Sequence, residues 1–344
     1  MRLLVTGAGG FIGRRLVKAL LEKPALTRGE DQAEQIGEII LTSRSGDLAR
    51  EFDDPRLTIK IGDIRNPSFL DGIFETQRID SIFHLATALT AESEEDFEYG
   101  LQVNVLGLIR LLELCRAQHN RPRFVYASSI AAFGGRLPSR VDDRVVHYPQ
   151  TSFGTAKAMG ELLINDYSRH GYIDGRALRL PLVLARPAPV RLSVADSVGA
   201  VLREPLLGKT VVCPLNPESC VAVASVRNAA LSLIQIHEIP GDRFGDTRAM
   251  NMPALTVTLA ELADTVETYD FPGTRGLVRW DPDEELQAIV DGWPSVIVAD
   301  EATRHNMHAD ASAAEILRNF IEDYEPRPGA PVELPQLRVV EGVR

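Results

Sequence analysis

The sequence predicts an α/β fold: a doubly wound parallel sheet followed by a smaller carboxy-terminal substrate lobe. Three observations support this. The amino-terminal half alternates short apolar runs with stretches of helical periodicity, which indicates consecutive βαβ units. A glycine-rich turn directly follows the first apolar run. After Pro181 the alternation stops, and prolines and short helical patterns become frequent. We therefore expect the sheet domain to span residues 1–181.

The apolar runs and helical patterns give the order of the elements. Strands are predicted at residues 3–6, 39–41, 57–61, 82–86, 124–126 and 176–180. Helices are predicted at 11–22, through 104–109 and over about 152–170, and the polar stretch 24–37 is interpreted as a surface insertion. The substrate lobe is assigned to residues 182–330, interleaved with late elements of the sheet domain, and residues 331–344 to a tail. Within the lobe, Thr258 with Glu261 and Ser312 with Glu315 fit capping boxes at helix starts.

Composition narrows the class of protein. The chain has 344 residues, of which 44% are hydrophobic, and a formal net charge of −11. An acidic chain with few basic clusters argues against nucleic-acid and anionic-membrane partners. The three cysteines are scattered, which favours a reducing cytoplasm. No apolar run approaches the roughly 20 residues of a membrane span. No metal site is predicted, since His305 and His308 have no third ligand nearby in the sequence.

The glycine-rich turn is Gly7-Ala8-Gly9-Gly10-Phe11-Ile12-Gly13, and it lies between a predicted strand and a predicted helix. Glycines tighten such a turn, let the backbone approach a pyrophosphate and let the helix pack on the strand. The amino terminus of the helix then offers free N–H groups to the phosphates. The strand before and the helix after this pattern indicate a dinucleotide-binding Rossmann domain.

The end of the second strand bears on the choice between NAD and NADP. A carboxylate there bonds the ribose 2′-hydroxyl of NAD. This chain has Thr42-Ser43-Arg44-Ser45 instead, which slightly favours NADP because a guanidinium matches phosphate geometry. Arg44 is alternatively an ordinary solvated loop cation. Asp63, after the third strand, is placed either to meet the adenine amino group or to form a turn.

A second set of residues follows the fifth strand. Ser129 lies just past that strand, and Phe153 precedes Lys157 by four residues in a predicted helix. Four residues make about one helical turn, so both side chains face the same side of the helix.

With the glycine turn, Gly62-Asp63, His84-Leu85-Ala86 and the Lys157 helix, this set resembles the extended short-chain dehydrogenase/reductases, the NAD-dependent epimerase/dehydratase family. The resemblance is clearest in the amino-terminal half. It implies NAD(P)-dependent oxidation of a secondary alcohol, on a small hydroxy acid for the most similar members, and a homodimer formed through a four-helix interface. It makes Ser129, Phe153 and Lys157 the catalytic positions and, with the turn, assigns these cofactor contacts: Gly7, Gly10, Phe11, Ile12, Gly13, Ser43, Arg44, Asp63, Ile64, Leu85, Ala86, Asn104, Lys157 and Pro181. Substrate contacts are predicted at Ser129, Arg186 and Arg203, the arginines being equally explained as surface or structural residues.

Phe153 is the exception to the family pattern. The family has at this position a tyrosine that acts as general acid/base, and phenylalanine has no proton to give or take. Three explanations stay open: an engineered Tyr→Phe variant, a natural relative that uses another group or water, or a protein that binds NAD(P) as a non-catalytic redox sensor. A nucleotide-sugar epimerase, dehydratase or reductase is the alternative enzyme. The sequence therefore predicts a dehydrogenase whose turnover is impaired at Phe153.

Overall fold

The computed structural model describes residues 1–28, 33–76, 78–184, 194–269 and 276–324. They form two compact units. The first comprises Met1–Pro181, Arg227–Ala254 and Gly292–Ala309. The second comprises Leu182–Val226, Leu255–Asp291 and the described residues from Asp310 onward. The predicted tail at 331–344 lies outside the described residues.

Fourteen strands are described along the chain: β1 Arg2–Thr6, β2 Ala25–Thr27, β3 Ala33–Gln35, β4 Glu38–Ser43, β5 Leu57–Ile61, β6 Ser81–His84, β7 Arg123–Ser129, β8 Asp174–Leu180, β9 Leu182–Leu184, β10 Val211–Cys213, β11 Cys220–Ser225, β12 Ala249–Asn251, β13 Leu255–Thr258 and β14 Val278–Trp280. The helices of the described ranges are α1 Phe11–Leu21, α2 Leu48–Glu51, α3 Pro67–Thr76, α4 Thr90–Glu95, α5 Phe97–Leu101, α6 Gly107–Ala117, α7 Ser152–Arg169, α8 Val194–Leu206, α9 Val226–Glu238, α10 Leu259–Thr268, α11 Glu284–Asp291, α12 Asp300–Arg304 and α13 Ala313–Tyr324.

The first unit is built on a seven-stranded sheet in the order β12-β8-β7-β6-β1-β4-β5. Every pairing in it is parallel. Strand order reverses beside β1, which defines a doubly wound sheet and confirms the predicted fold class. The inner strands are buried almost throughout, as in β6, because helices cover both faces of such a sheet. All the carboxyl ends therefore meet at one edge, where Thr6, His84 and Ser129 end their strands.

Two parts of the first unit differ from the sequence-based expectation. The polar stretch 24–37 contains the antiparallel pair β2–β3, and Leu26 within it is fully buried. The seventh strand, β12, was not predicted, because three residues carry too little periodicity to be recognised. It adds to the sheet through pairing with β8. Both features are decided by long-range pairing rather than by local pattern.

A long helix runs from Phe97 to Ala117 through α5 and α6, with a wider π-helical turn at Gln102–Leu106 between them. Asn104 lies buried in this turn. Its Oδ1 accepts hydrogen bonds from the Thr87 hydroxyl and the Ala88 N–H, both at 2.8 Å, and its Nδ2 donates to the Ala88 carbonyl at 3.0 Å. The π-helical turn thus carries the Asn104 side chain, whose hydrogen bonds fix the loop after β6.

The second unit has a three-stranded sheet in the order β13-β11-β9 and a two-stranded sheet of β10 and β14. The capping box at Thr258 forms as predicted: its hydroxyl accepts from the Glu261 N–H at 3.1 Å, and Glu261 accepts from the Thr258 N–H at 2.7 Å. At Ser312 the reciprocal bond shifts by one residue, since Glu315 accepts from the Ala311 N–H. Among the helices of the described ranges, none is both long and apolar enough to cross a membrane.

Candidate active site

The glycine turn follows β1 and begins α1. Gly7 has a φ of +72°, a region that glycine enters at little cost. A Cβ on Gly7 would lie 2.6 Å from the Ala86 nitrogen, so this turn passes too close to the loop after β6 for any side chain. A Cβ on Gly13 would overlap the Gly7 carbonyl oxygen, so the helix can pack this closely on the turn only because residue 13 is glycine. The Gly10 N–H closes the turn by donating to the Gly7 carbonyl at 3.0 Å.

The amino terminus of α1 is suited to an anion. Its N-cap is the exposed Gly10, which has no side-chain acceptor for the N–H groups of the first turn. No acidic residue lies in that turn. The helix dipole and these N–H groups together favour negative charge at this point. The residues present therefore fit the pyrophosphate of a dinucleotide.

Ser43 and Arg44 lie beside this turn at the end of β4. A Cβ on Gly9 would overlap the Ser43 hydroxyl, so the two segments are in close contact. The Arg44 guanidinium donates to the Tyr99 hydroxyl at 2.6 Å, and Arg65 stacks over the Tyr99 ring at 4.9 Å. Asp63 forms an ion pair with Arg65 at 2.8 Å, and this pairing holds the pKa of Asp63 below its usual range despite partial burial. Two cations thus flank Tyr99 where the sequence placed the adenosine end of the cofactor.

The backbone of the loop after β6 lies next to the glycine turn. The Leu85 N–H donates to the Thr6 carbonyl at 3.1 Å, and the Ala86 N–H donates to the Thr6 hydroxyl at 3.3 Å. Ile64 packs against Gly107 of α6, since a Cβ there would lie 3.4 Å from its Cγ1. Pro181 is buried directly after β8. These residues frame the carboxyl edge of the sheet.

Lys157 is buried beneath this edge. Its Nζ donates to the Ala127 carbonyl of β7 at 2.8 Å and lies 4.9 Å from the Tyr126 ring centroid. It also lies 5.3 Å from the Phe153 ring centroid, so the predicted one-turn juxtaposition of these two side chains is present. Burial lowers the pKa of Lys157 from 10.5 to about 7, while the Glu161 carboxylate opposes that shift.

Ser129 is the last residue of β7, because the strand runs three residues further than the predicted 124–126. Its hydroxyl accepts from the Ala131 N–H at 3.1 Å and thereby caps a short helical turn. A Cβ on Gly154 would overlap the Ala131 carbonyl, so the first turn of α7 packs directly on this segment. Thr151 caps α7 by accepting from the Gly154 N–H at 3.0 Å. The cap and the glycine contact fix where α7 begins, and so they set the positions of Phe153 and Lys157.

Sequence reasoning missed a buried polar network on the same helix. Glu161, one turn after Lys157, accepts three hydrogen bonds from Arg179 of β8, with an ion-pair distance of 2.8 Å. Both side chains are about 95% buried. The Ser128 hydroxyl donates to Glu161 at 2.5 Å, and Asn251 accepts from Arg179 at 3.2 Å. The only signal in the sequence was a carboxylate on the apolar face of α7.

Two tyrosines lie near Lys157 in space or in sequence, and neither matches the family's tyrosine. Tyr126 is fully buried in β7, and burial raises the pKa of its phenol above the usual range. Tyr148 is 66% exposed and precedes Pro149 on the loop before α7. His84 accepts or donates a 2.7 Å hydrogen bond with Thr6, and burial lowers its pKa to about 3. None of the three occupies the position one helical turn before Lys157, where the family has its tyrosine.

The described structure does not test the two predicted substrate arginines. Arg186 lies outside the described residues. Arg203 lies in α8 of the second unit, where it is 1% exposed and pairs with Glu204 at 2.7 Å. Both assignments stay predictions.

The buried Lys157 gives a testable pH dependence. Its pKa is lower in the folded protein, about 7, than the ordinary 10.5, so between these values the unfolded chain binds more protons. The free energy of unfolding should therefore rise with pH across this window, relative to Lys157→Met, which has no titrating group. Urea unfolding of both proteins at several pH values measures this difference. A difference that does not change with pH contradicts a buried, desolvated ammonium.

The doubly wound sheet, the glycine turn before α1 and the Ser129–Lys157 arrangement define a Rossmann protein of the short-chain dehydrogenase/reductase class. The family model described as "NAD dependent epimerase/dehydratase family" matches residues 3–214. The chain belongs to this family, and the resemblance inferred from its motifs is confirmed.

Named relatives extend over almost the whole chain. It is 34% identical to D-erythronate dehydrogenase of Cupriavidus necator, over 94% of this chain and 98% of the relative. It is 32% identical to D-erythronate dehydrogenase of Haemophilus influenzae, over 94% and 99%. Among solved structures, a nucleoside-diphosphate-sugar epimerase from Agrobacterium tumefaciens is 30% identical, with a TM-score of 0.84 and coverage of 94% of both chains.

Proposed function

We propose that this protein is an NAD(P)-dependent dehydrogenase that oxidises the secondary alcohol of a small hydroxy acid of the D-erythronate type. The observation that carries the proposal is the buried Lys157 ammonium one helical turn from Phe153, at the carboxyl end of the strand that ends in Ser129. Two relatives named D-erythronate dehydrogenase, each aligned over 94% of the chain, support the substrate class.

The proposed reaction assigns separate roles to the residues that bind the cofactor and to those that orient the substrate. Gly7, Gly10 and the first turn of α1 would hold the pyrophosphate, and Lys157 would bind the nicotinamide ribose. When bound, the nicotinamide ring supplies the hydride acceptor. The Ser129 hydroxyl orients the substrate alcohol. The alcohol proton must still leave, and Phe153 has no group to accept it, so we propose that proton removal is the impaired step.

The direct test is an assay with D-erythronate and either NAD⁺ or NADP⁺, followed by the absorbance of the reduced nicotinamide. Calorimetric titration of the same protein with each cofactor separates binding from turnover. Slow but measurable reduction that depends on D-erythronate is expected. Cofactor binding without any affinity for D-erythronate would leave the fold assignment intact and overturn the substrate class.

Two alternatives have a specific observation each. The structural likeness to a nucleoside-diphosphate-sugar epimerase favours a nucleotide-sugar substrate, which is tested by adding UDP-sugars to the same titration. Phe153 favours a redox sensor that binds NAD(P) without turnover. A sensor would bind the oxidised and reduced cofactors with clearly different affinity and show no dehydrogenase activity in any variant.

We propose a slight preference for NADP, supported by Arg44 and by the absence of a carboxylate in residues 42–45. The Arg44 guanidinium donates a hydrogen bond to the Tyr99 hydroxyl, and this bond holds the guanidinium in place. Arg44→Ala should weaken NADP⁺ binding about tenfold, as expected for one charge-assisted contact, and change NAD⁺ binding little. Titration with both cofactors measures this. Equal losses for both, or none, contradict the preference, and Arg50→Ala on α2 is the control.

We propose a homodimer formed by the α5–α6 helix and α7 with their copies. These helices expose apolar side chains, with Leu106 at 50%, Met159 at 41% and Leu162 at 70% exposure. Large apolar side chains left exposed on neighbouring helices are a mark of association surfaces. Leu162→Glu should convert a dimer to a monomer in sedimentation experiments, because it places a charge in an apolar interface. The matched control is Leu231→Glu on α9, and a wild-type monomer would contradict the proposal.

We place the enzyme in the cytoplasm. The support is that Cys115, Cys213 and Cys220 are all free thiols in the described structure. Fractionation of cells expressing the full chain tests this.

A further inference from the structure

A cavity lies at the edge of the parallel sheet opposite the glycine turn. It has a volume of about 510 Å³ and is found where β7 and β8 begin, at Arg123 and Asp174. Four arginines and two aspartates contribute to its lining: Arg28, Arg121, Arg123, Arg248, Asp174 and Asp242. A basic cavity is unexpected in a chain whose formal net charge is −11.

Its charges do not balance. Asp174 is paired with three guanidiniums: Arg123 at 3.0 Å, Arg176 at 2.6 Å and Arg248 at 3.2 Å. Arg123 and Arg176 are buried, with side chains 3% and 0% exposed. Among the described residues, the guanidiniums of Arg121, Arg123, Arg176 and Arg248 face two carboxylates, those of Asp174 and Asp242. Because buried charge without a counter-charge is costly, this excess of positive charge favours an added anion.

Titration directions agree with this imbalance. Burial alone would raise the pKa of Asp174, yet the guanidiniums of Arg176 and Arg123 hold it below its usual range. Burial lowers the pKa of Arg176 to about 9, which shows that its one carboxylate partner does not offset the loss of water. Arg28 lowers the excess, since it has two carboxylate partners, Glu34 at 3.2 Å and Asp80 at 3.7 Å, and the three groups together carry one net negative charge.

Two of the guanidiniums, those of Arg123 and Arg176, are held in place by backbone carbonyls. Arg123 donates to the carbonyls of Thr27 and His237, and Arg176 donates to three carbonyls of the α9 carboxyl end and the following loop. Carbonyl oxygens carry only partial charge, so they fix the geometry without cancelling the cations. Pre-organised donors lower the entropy cost of binding.

The loop before β7 adds a further cation to the lining. Arg121 is exposed and has a φ of +50°, and His119 has a φ of +54°. Left-handed backbone is uncommon for residues other than glycine and costs energy, and it is concentrated at functional sites. The backbone thus adopts an unfavourable conformation where it places an arginine against the cavity.

We infer that this cavity is a binding site for a small multivalent anion whose phosphoryl or carboxylate groups pair with Arg121, Arg123 and Arg248. The planar guanidinium matches both kinds of group through paired N–H donors. The site lies in the first unit and does not depend on which alcohol the enzyme oxidises.

Calorimetric titration of the full chain with pyrophosphate, citrate and inorganic phosphate, at low ionic strength, tests the inference. Saturable binding of at least one is expected, and the comparison of pyrophosphate with citrate identifies the preferred group. Arg248→Ala and Arg121→Asn should each weaken it about tenfold, since each removes one charge-assisted contact. Asparagine tolerates the left-handed backbone at 121, so that variant keeps the test valid if Arg248→Ala fails to fold.

Arg44→Ala is the matched control, because an anion could bind at the glycine turn instead. Affinity unchanged by Arg44→Ala and lowered by the two cavity variants supports the site. Affinity lost in Arg44→Ala alone assigns the anion to the cofactor turn and overturns the inference. Absence of binding, or weak binding that is equal in all variants and indicates an adventitious ion only, overturns it as well.

Discussion

Phe153→Tyr is expected to raise kcat for hydroxy-acid oxidation by about 10²–10⁴-fold, the usual contribution of a general base. The Phe153 ring already lies 5.3 Å from the Lys157 Nζ. A phenol hydroxyl added to that ring enters the field of the ammonium, which favours the phenolate and so prepares it to take the alcohol proton. Steady-state rates of both proteins with D-erythronate and saturating cofactor measure the gain.

The control for this substitution is Phe97→Tyr, which adds the same hydroxyl to an exposed ring of α5 and should leave kcat unchanged. The pH profile gives a second criterion, since a tyrosine base introduces a new ionisation in the rate of the Phe153→Tyr enzyme. If cofactor and D-erythronate bind to Phe153→Tyr and the rate does not rise, the catalytic site lacks more than the tyrosine hydroxyl. That result favours the redox sensor over the dehydrogenase.

Glu161→Gln is expected to destabilise the protein by up to roughly 3–5 kcal/mol, the cost of breaking a buried ion pair; Asp143, 3.8 Å from Arg179, stays as a second counter-charge. Arg179 is 3% exposed and would keep its charge beside a neutral amide. Glutamine has nearly the same shape as glutamate, so packing changes contribute little. Urea denaturation, monitored by circular dichroism, measures the free energy of unfolding.

Asp166→Asn is the matched control, because it neutralises a carboxylate of the same helix that pairs with Arg169. In that pair the side chains are 54% and 66% exposed. An exposed pair is worth about 0–1 kcal/mol, so the control should change stability little. Similar effects of the two substitutions would show that the Glu161–Arg179 pair does not stabilise the fold. Loss of Glu161 should also lower the pKa of Lys157 further, since the carboxylate supports its charge.

The geometry of the glycine turn could be predicted from the sequence. Glycine spacing, a preceding apolar strand and a following amphipathic helix are all local features, and the turn from Gly7 to Gly13 has the close contacts that those residues allow. The pairing of Phe153 with Lys157 was also predictable, because helical periodicity fixes which side chains share a face. Both predictions depended on residues near one another in the chain.

Other features required the folded chain. Glu161 and Arg179 are separated by a helix-to-strand connection, and only the packing of α7 on β8 makes them a buried pair. The arginine cavity combines side chains from four parts of the chain, none of which carries a recognisable motif. Strand β12 joins the sheet only through its pairing with β8.

The sequence by itself determined the fold class, the family and the missing hydroxyl at Phe153, because periodicity, glycine conformation and side-chain chemistry are local properties. Tertiary structure alone decided that Lys157 is desolvated against Tyr126 and Ala127, and that Asp174 has three guanidinium partners. Burial and charge balance arise from residues far apart in the chain. Their effects on pKa and binding therefore exist only once the strands and helices have packed.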